Sequence, residues 1–277
     1  RKEPVITEGA FDSQNLAFWD AHRGHYREYH RTFVKGIRAI MTATSTDYVN
    51  WTKPTLLTYQ EGLSPQHLYT NAVQTYPRAA HLLLGFPTRY LPDQGQRVEP
   101  TLMVSRDGRR FHRWVEPVIP ENAPRDRTGN RSNYMAWGLV ELPGRPRHLS
   151  VYASEAYYTG PDSRLRRFEY RKDGFVSVHS SREGGTLLTK AFRFSGSRLY
   201  LNYRSAGDGH LRAELQTPGG QTIPGFSLSN CTLPPGDEID KAVTWKKGPD
   251  LAKLQGTPVR LLVELRKADL FALRFAP

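Results

Sequence analysis

Apolar and polar residues alternate over short stretches along most of the chain, which is typical of half-buried β-strands. In the first 180 residues these stretches fall into three groups with the same order of strands, and a short fourth strand is expected to close each group. The predicted first strands are 14–19, 68–76 and 134–142, the second strands are 26–33, 81–86 and 148–153, and the third strands are 36–44, 101–105 and 164–170.

An acidic turn follows each predicted third strand. Asp47, Asp107 and Asp173 occupy these turns, so the repeat is roughly 60 residues long, and the segment 3–6 (Glu-Pro-Val-Ile) recurs at 116–119. Four antiparallel strands in about 50 to 60 residues is the size of a propeller blade. The alternative is an ordinary β-sandwich whose hairpins share turn chemistry by chance.

From about residue 184 the repeat stops and strands of another spacing begin. They are predicted at 186–194, 198–203, 210–217, 259–265 and 270–275, with Gly and Pro between them. The sequence therefore predicts an all-β protein in two domains. Residues 1–180 would form a partial β-propeller that carries the catalytic site, and residues 181–277 would form a C-terminal β-sandwich.

Composition narrows the function classes. The formal net charge is +12, but the arginines are scattered among strands and turns and no recognition helix is present, so we expect no nucleic-acid partner. No run of 18 apolar residues occurs, and we expect no membrane partner. Cys231 is the single cysteine, which excludes an intrachain disulfide and a thiolate metal cluster. No phosphate loop or helical His pair is present, so neither a cofactor nor a metal is expected.

Several segments resemble a known group of proteins. These are residues 9–20, 67–71 and 165–168 in the repeats, and 188–190, 224–226, 236–239 and 268–270 in the second domain. They look like bacterial proteins that are themselves described as similar to glycoside hydrolase family 32. The resemblance implies a five-bladed propeller glycosidase with a C-terminal sandwich.

The blade count adds an expectation about completeness. About three blades are counted of the five implied, and the first residue is Arg1, so we expect an N-terminally truncated chain. Pairing with a missing N-terminal part, or a homo-oligomer, would cover the open edge. The resemblance implies a bacterial source and is compatible with export, but the compartment stays open.

Catalytic residues cannot be transferred by motif, because the Arg-Asp-Pro triplet and Glu-Cys pair of family 32 are absent. From position, Asp12 is the candidate carboxylate at the entry to an innermost strand. Glu155, which lies near Tyr157 and Tyr158, is the candidate general acid, since aromatic neighbours would raise its pKa. The predicted substrate-binding residues are Asn15, His30, Arg31, Tyr69, Asn71, Arg89 and Tyr157.

Two functions of different class follow. The first is a glycoside hydrolase acting on a poly- or oligosaccharide by carboxylate acid/base chemistry, and the second is a carbohydrate-binding or scaffold protein without chemistry. The hydrolase needs two carboxylates within about 5 to 10 Å in one pocket. The binding protein needs only aromatic rings and hydrogen-bonding groups.

Overall fold

The computed structural model describes residues 3–120, 133–156 and 163–277. Over these residues the chain has 21 β-strands and two short 3-10 helices, Leu228–Asn230 and Leu251–Leu254. Backbone contacts divide it into two compact units, residues 1–141 with 150–169, and residues 142–149 with 170–277. The domain division predicted at residues 180 and 181 is not tested by these units and stays a prediction.

The first sheet has the predicted strand order of a blade. It is a four-stranded antiparallel meander, β1-β2-β3-β4. Its strands are β1 (Leu16–Asp20), β2 (His25–Val34), β3 (Ile37–Ser45) and β4 (Thr55–Leu56). Because side chains alternate along β2, Tyr29 faces the hydrophobic core while Glu28 and His30 face the opposite side.

The second sheet contains a similar meander with additions. Its main path is β7-β8-β10-β11, with β5 parallel to β11, and β9 pairs with both β10 and β6. The strands are β5 (Thr58–Tyr59), β6 (His67–Leu68), β7 (Gln74–Thr75), β8 (Leu83–Gly85), β9 (Thr88–Leu91), β10 (Arg97–Ser105) and β11 (Arg110–Pro117). The strand predicted at 68–76 is broken, because Ala72 between β6 and β7 has a φ of 41°.

One hydrophobic core joins these two sheets. Tyr29 and Ile40 of the first sheet pack with Leu83, Met103 and Phe111 of the second, and all five are buried. The third sheet has three strands among the described residues, β12 (Tyr134–Met135), β13 (His148–Glu155) and β14 (Arg164–Arg171), in that order. The next strand along the chain, β15 (Val178–Ser180), pairs with a strand of the second unit instead of closing the third sheet.

The first two acidic turns are equivalent in detail. Ser45 Oγ accepts hydrogen bonds from the backbone N–H groups of Asp47 and Tyr48, and Asp47 Oδ1 accepts from the next two N–H groups at 2.8 and 2.7 Å. Ser105 and Asp107 make the same bonds with residues 107–110. The third turn differs, because Arg171 replaces the serine and Asp173 itself has a positive φ of 54°. The equivalence therefore covers the turns at Asp47 and Asp107 and does not extend to the turn at Asp173.

In the second unit, several predicted strands are continuous. The pairs predicted at 198–203 with 210–217, and at 259–265 with 270–275, are the long strands β17 (Arg198–Gln216) and β21 (Arg260–Ala276). A bulge lies between Ser205 and His210, and both halves of β17 contribute residues to one core with Leu201 and Leu211. Bent strands that share a core in this way form a sandwich. The remaining strands are β16 (Gly185–Leu188), β18 (Cys231–Thr232), β19 (Asp237–Ala242) and β20 (Thr244–Trp245). The predicted fold class, all-β with blade-type sheets followed by a sandwich, is confirmed.

Candidate functional site

A cavity of about 1010 Å³ lies on the first sheet, on the face opposite the hydrophobic core. Among the described residues, its lining contains aromatic and aliphatic side chains, one carboxyl group, one imidazole, an amide and a hydroxyl, and no lysine or arginine. The lining residues are Pro4, Val5, Ile6, Thr7, Phe11, Asn15, Leu16, Ala17, Phe18, Glu28, His30, Tyr48, Trp51 and Trp137.

Glu28 is the carboxyl group of the cavity, and its position follows from strand register. It lies on the central strand β2 opposite Ala17 of β1 and Ala43 of β3. The two small neighbours let the carboxyl lie close to the sheet, where it is only 4% exposed. Burial raises the pKa of Glu28, and the hydrogen bond from His30 partly opposes that effect.

His30 links Glu28 to the segment that precedes β1. Its Nδ1 is 2.7 Å from Oε2 of Glu28, and its Nε2 is 2.9 Å from the backbone carbonyl oxygen of Glu8. The other carboxyl oxygen of Glu28, Oε1, is buried and has no hydrogen-bond partner within the described chain. A buried acceptor without a partner is costly, so a hydrogen bond to Oε1 from a ligand or a water molecule would be favourable.

Gly9 makes the close approach between this segment and His30 possible. A Cβ atom at residue 9 would overlap the Cδ2 and Nε2 atoms of the imidazole, and Gly9 has a φ of 153°. Residues 8–10 are also held to the sheet by the backbone bridge between Ala10 and Arg31. The contact of His30 with the Glu8 carbonyl therefore depends on a glycine at this position.

Aromatic rings form the other wall of the cavity. Tyr48 and Trp51 pack edge to face with their ring centroids 5.5 Å apart, and Tyr48 also packs on Tyr26. Trp137 donates its indole N–H to the carbonyl of Val73 at 2.8 Å, and half of the side chain remains exposed. Rings with exposed faces beside hydrogen-bonding groups suit the apolar faces and hydroxyls of a sugar.

Tyr48 has an unusual backbone for its residue type. Its φ is 64°, and the equivalent position in the second acidic turn is Gly108, with a φ of 79°. A left-handed conformation costs a residue with a side chain about 1 kcal/mol relative to glycine. The first turn therefore bears strain at the residue whose ring lines the cavity, which is where functional strain is expected.

Of the residues predicted from the sequence, Asn15 and His30 line the cavity. Arg31 and Tyr69 lie together elsewhere in the same unit, with the Arg31 guanidinium carbon 5.0 Å from the centre of the Tyr69 ring. Arg31 forms an ion pair with Asp12, whose side chain is 74% exposed, and this hydrogen bond lowers the pKa of Asp12. Asp12 is not among the residues that line the cavity.

The other predicted residues lie apart from the cavity lining. Arg89 forms a buried ion pair with Glu99. Asn71 is buried, and its side-chain amide donates to the backbone carbonyl of Gln14 at 3.1 Å. Glu155 is fully buried and accepts hydrogen bonds from Arg164 and Arg166. Tyr157 lies outside the described residues. The catalytic and binding roles assigned to these residues remain predictions.

Sequence reasoning missed Glu28, Tyr48, Trp51 and Trp137. A signal for Glu28 existed, since Tyr26, Glu28 and His30 alternate on β2 and must share one face of a strand. Within the described ranges, no group of three or more His, Cys, Asp or Glu side chains could hold a metal ion. The described residues also include no helix long and apolar enough to cross a membrane.

No protein-family model matches the chain, and a search of curated proteins finds no match. Among solved structures, it is similar to an N-acetylgalactosamine deacetylase from F. plautii in complex with blood group B trisaccharide, with 9% identity over 94% of this chain and 52% of that one, at a TM-score of 0.41. A complex of BT0996 with RGII shares 9% identity over 73% of this chain and 65% of that one, at 0.37. A Bombyx mori GH32 β-fructofuranosidase shares 10% identity over 99% of this chain and 69% of that one, at 0.37.

The chain thus spans about half the length of the deacetylase and about two thirds of the length of the BT0996 chain. TM-scores below 0.5 do not establish a shared fold, so the functional argument below starts from the cavity.

Proposed function

We propose that this protein binds a carbohydrate in the cavity of the first sheet and acts on it as a glycoside hydrolase, with Glu28 as the proton donor. One observation carries the proposal. A buried carboxyl group with a raised pKa lines a cavity walled by aromatic rings, and one of its two oxygens has no hydrogen-bond partner within the described chain.

The chemistry follows from what each part can do. A glycosidic oxygen leaves readily only when it receives a proton, and a raised pKa lets a carboxylic acid keep its proton to a higher pH than an exposed carboxylic acid does. Trp51 and Trp137 offer ring faces to the sugar, and Asn15 offers an amide at the edge of the cavity. The sugar would lie with its leaving oxygen toward Oε1 of Glu28.

A second candidate is carbohydrate binding without hydrolysis. It is favoured by the fact that Glu28 is the only carboxyl group in the described lining of the cavity, whereas hydrolysis usually requires two. In this case Oε1 would accept a hydrogen bond from a sugar hydroxyl, and the aromatic rings would supply most of the affinity.

The test replaces Glu28 by Gln, which keeps the shape and removes the acid. Wild type and variant are assayed on aryl glycosides with good and poor leaving groups and on an oligosaccharide panel, with binding followed by calorimetry. For a poor leaving group we expect kcat to fall by roughly two orders of magnitude, with little change for a good one and affinity retained. Glu61→Gln, at an exposed position of the same unit, is the matched control.

The outcomes separate the candidates. Binding by the wild type without any hydrolysis, weakened in Trp51→Ala, favours the binding protein. If hydrolysis is lost in Asp12→Asn or Glu155→Gln and is unaffected in Glu28→Gln, the proton donor is one of the carboxyl groups predicted from the sequence and not Glu28. Absence of binding to every sugar contradicts both candidates.

A further inference from the structure

We propose that Glu28 and His30 form a couple that shares one proton, and that a second proton, added at Oε1 of Glu28, makes the form that donates to a ligand. His30 is a positioning residue in this account. The inference deepens the proposed function by naming how the cavity responds to pH. The donation step rests on the proposed function, whereas the number of protons that the couple holds is independent of it.

The tautomer of His30 is fixed by its contact with Glu8. A backbone carbonyl oxygen can only accept a hydrogen bond, and it lies 2.9 Å from Nε2 of His30. Nε2 therefore carries a hydrogen in every protonation state of the ring. In the neutral imidazole this leaves Nδ1 as an acceptor.

The contact between His30 and Glu28 then requires a proton. Nδ1 and Oε2 are 2.7 Å apart, which is a hydrogen-bond distance. If no proton lay between them, the lone pair of Nδ1 would face an ionised carboxylate. One proton lies on this line, either as a neutral acid and a neutral imidazole or as a carboxylate and an imidazolium, and the couple is electroneutral in both forms.

A second proton has one natural destination. Oε2 is occupied by the contact with Nδ1, and both ring nitrogens carry hydrogens once the imidazole is charged, so the free site is Oε1. A proton taken from water gives an Oε1–H group and a couple with a charge of +1. When that proton moves to the leaving oxygen, the glycosidic C–O bond breaks and the couple returns to the state with one proton. The water molecule that bonds to the anomeric carbon releases a proton, so protons balance over a turnover.

Few other charged groups lie near Glu28 and His30 that could hold the second proton or shift its position. On β2 itself, Arg27 is the nearby cation, and it lowers the pKa of Glu28 by a smaller amount than burial raises it. The neighbouring strands present Ala17 and Ala43 beside Glu28. The preceding segment presents the carbonyl of Glu8, and the first acidic turn presents the phenol of Tyr48 in the cavity lining.

The test measures protonation on the protein without ligand. Nitrogen-15 resonances of the His30 ring and the carbon-13 resonance of the Glu28 carboxyl are followed against pH, with Glu28→Gln to assign the carboxyl. We expect Nε2 to stay protonated throughout, and the resonances of Glu28 and His30 to move together in two steps, one for each proton of the couple. A His30 ring that titrates by itself, with Glu28 unchanged, would overturn the proposal.

His30→Gln provides the matched variant. The side-chain amide of glutamine can take the place of Nε2 and still donate to the Glu8 carbonyl, which keeps the contact between β2 and the preceding segment. No atom of glutamine takes the place of Nδ1. Glu28 should then titrate in a single step that lies between the two steps of the wild type. Retention of the two-step titration in His30→Gln would contradict the couple. Because no sugar is present, failure of the proposed function would leave these results unchanged.

Discussion

At the scale of single residues, Tyr48 distinguishes the first acidic turn from the second. The first and second acidic turns make the same hydrogen bonds, yet one has tyrosine and the other glycine at the position with positive φ. A tyrosine there is unfavourable for the backbone but places a ring beside Trp51. We infer that the strained conformation is retained for the ring.

This interpretation predicts a difference between two variants that both remove the ring. Tyr48→Gly relieves the positive φ and Tyr48→Ala does not, so Tyr48→Gly should be the more stable of the two by about 1 kcal/mol in chemical unfolding. Sugar affinity should fall to a similar extent in both. Equal stability of the two variants, or unchanged affinity in either, would argue against a functional role for the strain.

His30 was predicted as a ligand because His30 and Arg31 occupy in the first group of strands the place that Glu155 occupies in the third. His30 lines the cavity, and its role as a ligand stays a prediction. Glu28 was missed because it lies between Arg27 and Tyr29 and resembles a surface residue in the sequence. In the structure its cross-strand neighbours are the small residues Ala17 and Ala43, which let its carboxyl lie close to the sheet. Cross-strand register is not visible in one strand's own sequence, so the burial could not be predicted.

At the scale of elements, the acidic turns are the part of the repeat that the sequence predicted best. The Ser-x-Asp pattern is local, and its hydrogen bonds close within six residues, so the pattern by itself determines the turn. The prediction that a fourth strand closes the third group was wrong because strand pairing depends on residues that are distant in sequence. Whether Val178–Ser180 joins one sheet or another depends on distant β21, which local alternation does not report.

Asp107→Ala tests the contribution of the second turn. Burial by itself would raise the pKa of Asp107, but hydrogen bonds from the backbone N–H groups of Arg109 and Arg110 outweigh it and lower the pKa. An acid with a lowered pKa in the folded state stabilises the protein above its unfolded pKa, and this stability is lost as the pH falls through the folded value. The variant should therefore be less stable at pH 7, by about 1 kcal/mol for a solvated turn.

The pH dependence is the sharper readout. The difference in unfolding free energy between wild type and Asp107→Ala should shrink below about pH 4, where the unfolded carboxyl gains its proton. Asp107→Asn is the control, because its amide oxygen can still accept the two N–H bonds without titrating. A stability difference for Asp107→Ala that stays constant from pH 7 to acid would show that the charge does not hold this turn.

At the scale of the whole molecule, the net charge of +12 does not describe the cavity. No arginine or lysine is among its described lining residues, and Arg31 and Arg89, which the sequence suggested as ligands, are paired with Asp12 and Glu99. The two compact units also have separate hydrophobic cores. The binding proposed above therefore concerns the first unit, whose residues line the cavity.

Binding of sugar in the cavity can be measured directly with four of the five tryptophans as reporters. With 5-fluorotryptophan incorporated and each resonance assigned by substitution with Phe, fluorine NMR spectra are recorded with and without sugar. Trp51 and Trp137 line the cavity, Trp114 lies on β11, and Trp245 is in the core of the second unit. We predict that sugar shifts the resonances of Trp51 and Trp137 and leaves those of Trp114 and Trp245 in place. A sugar that binds and shifts Trp114 or Trp245 without moving Trp51 and Trp137 would contradict the account.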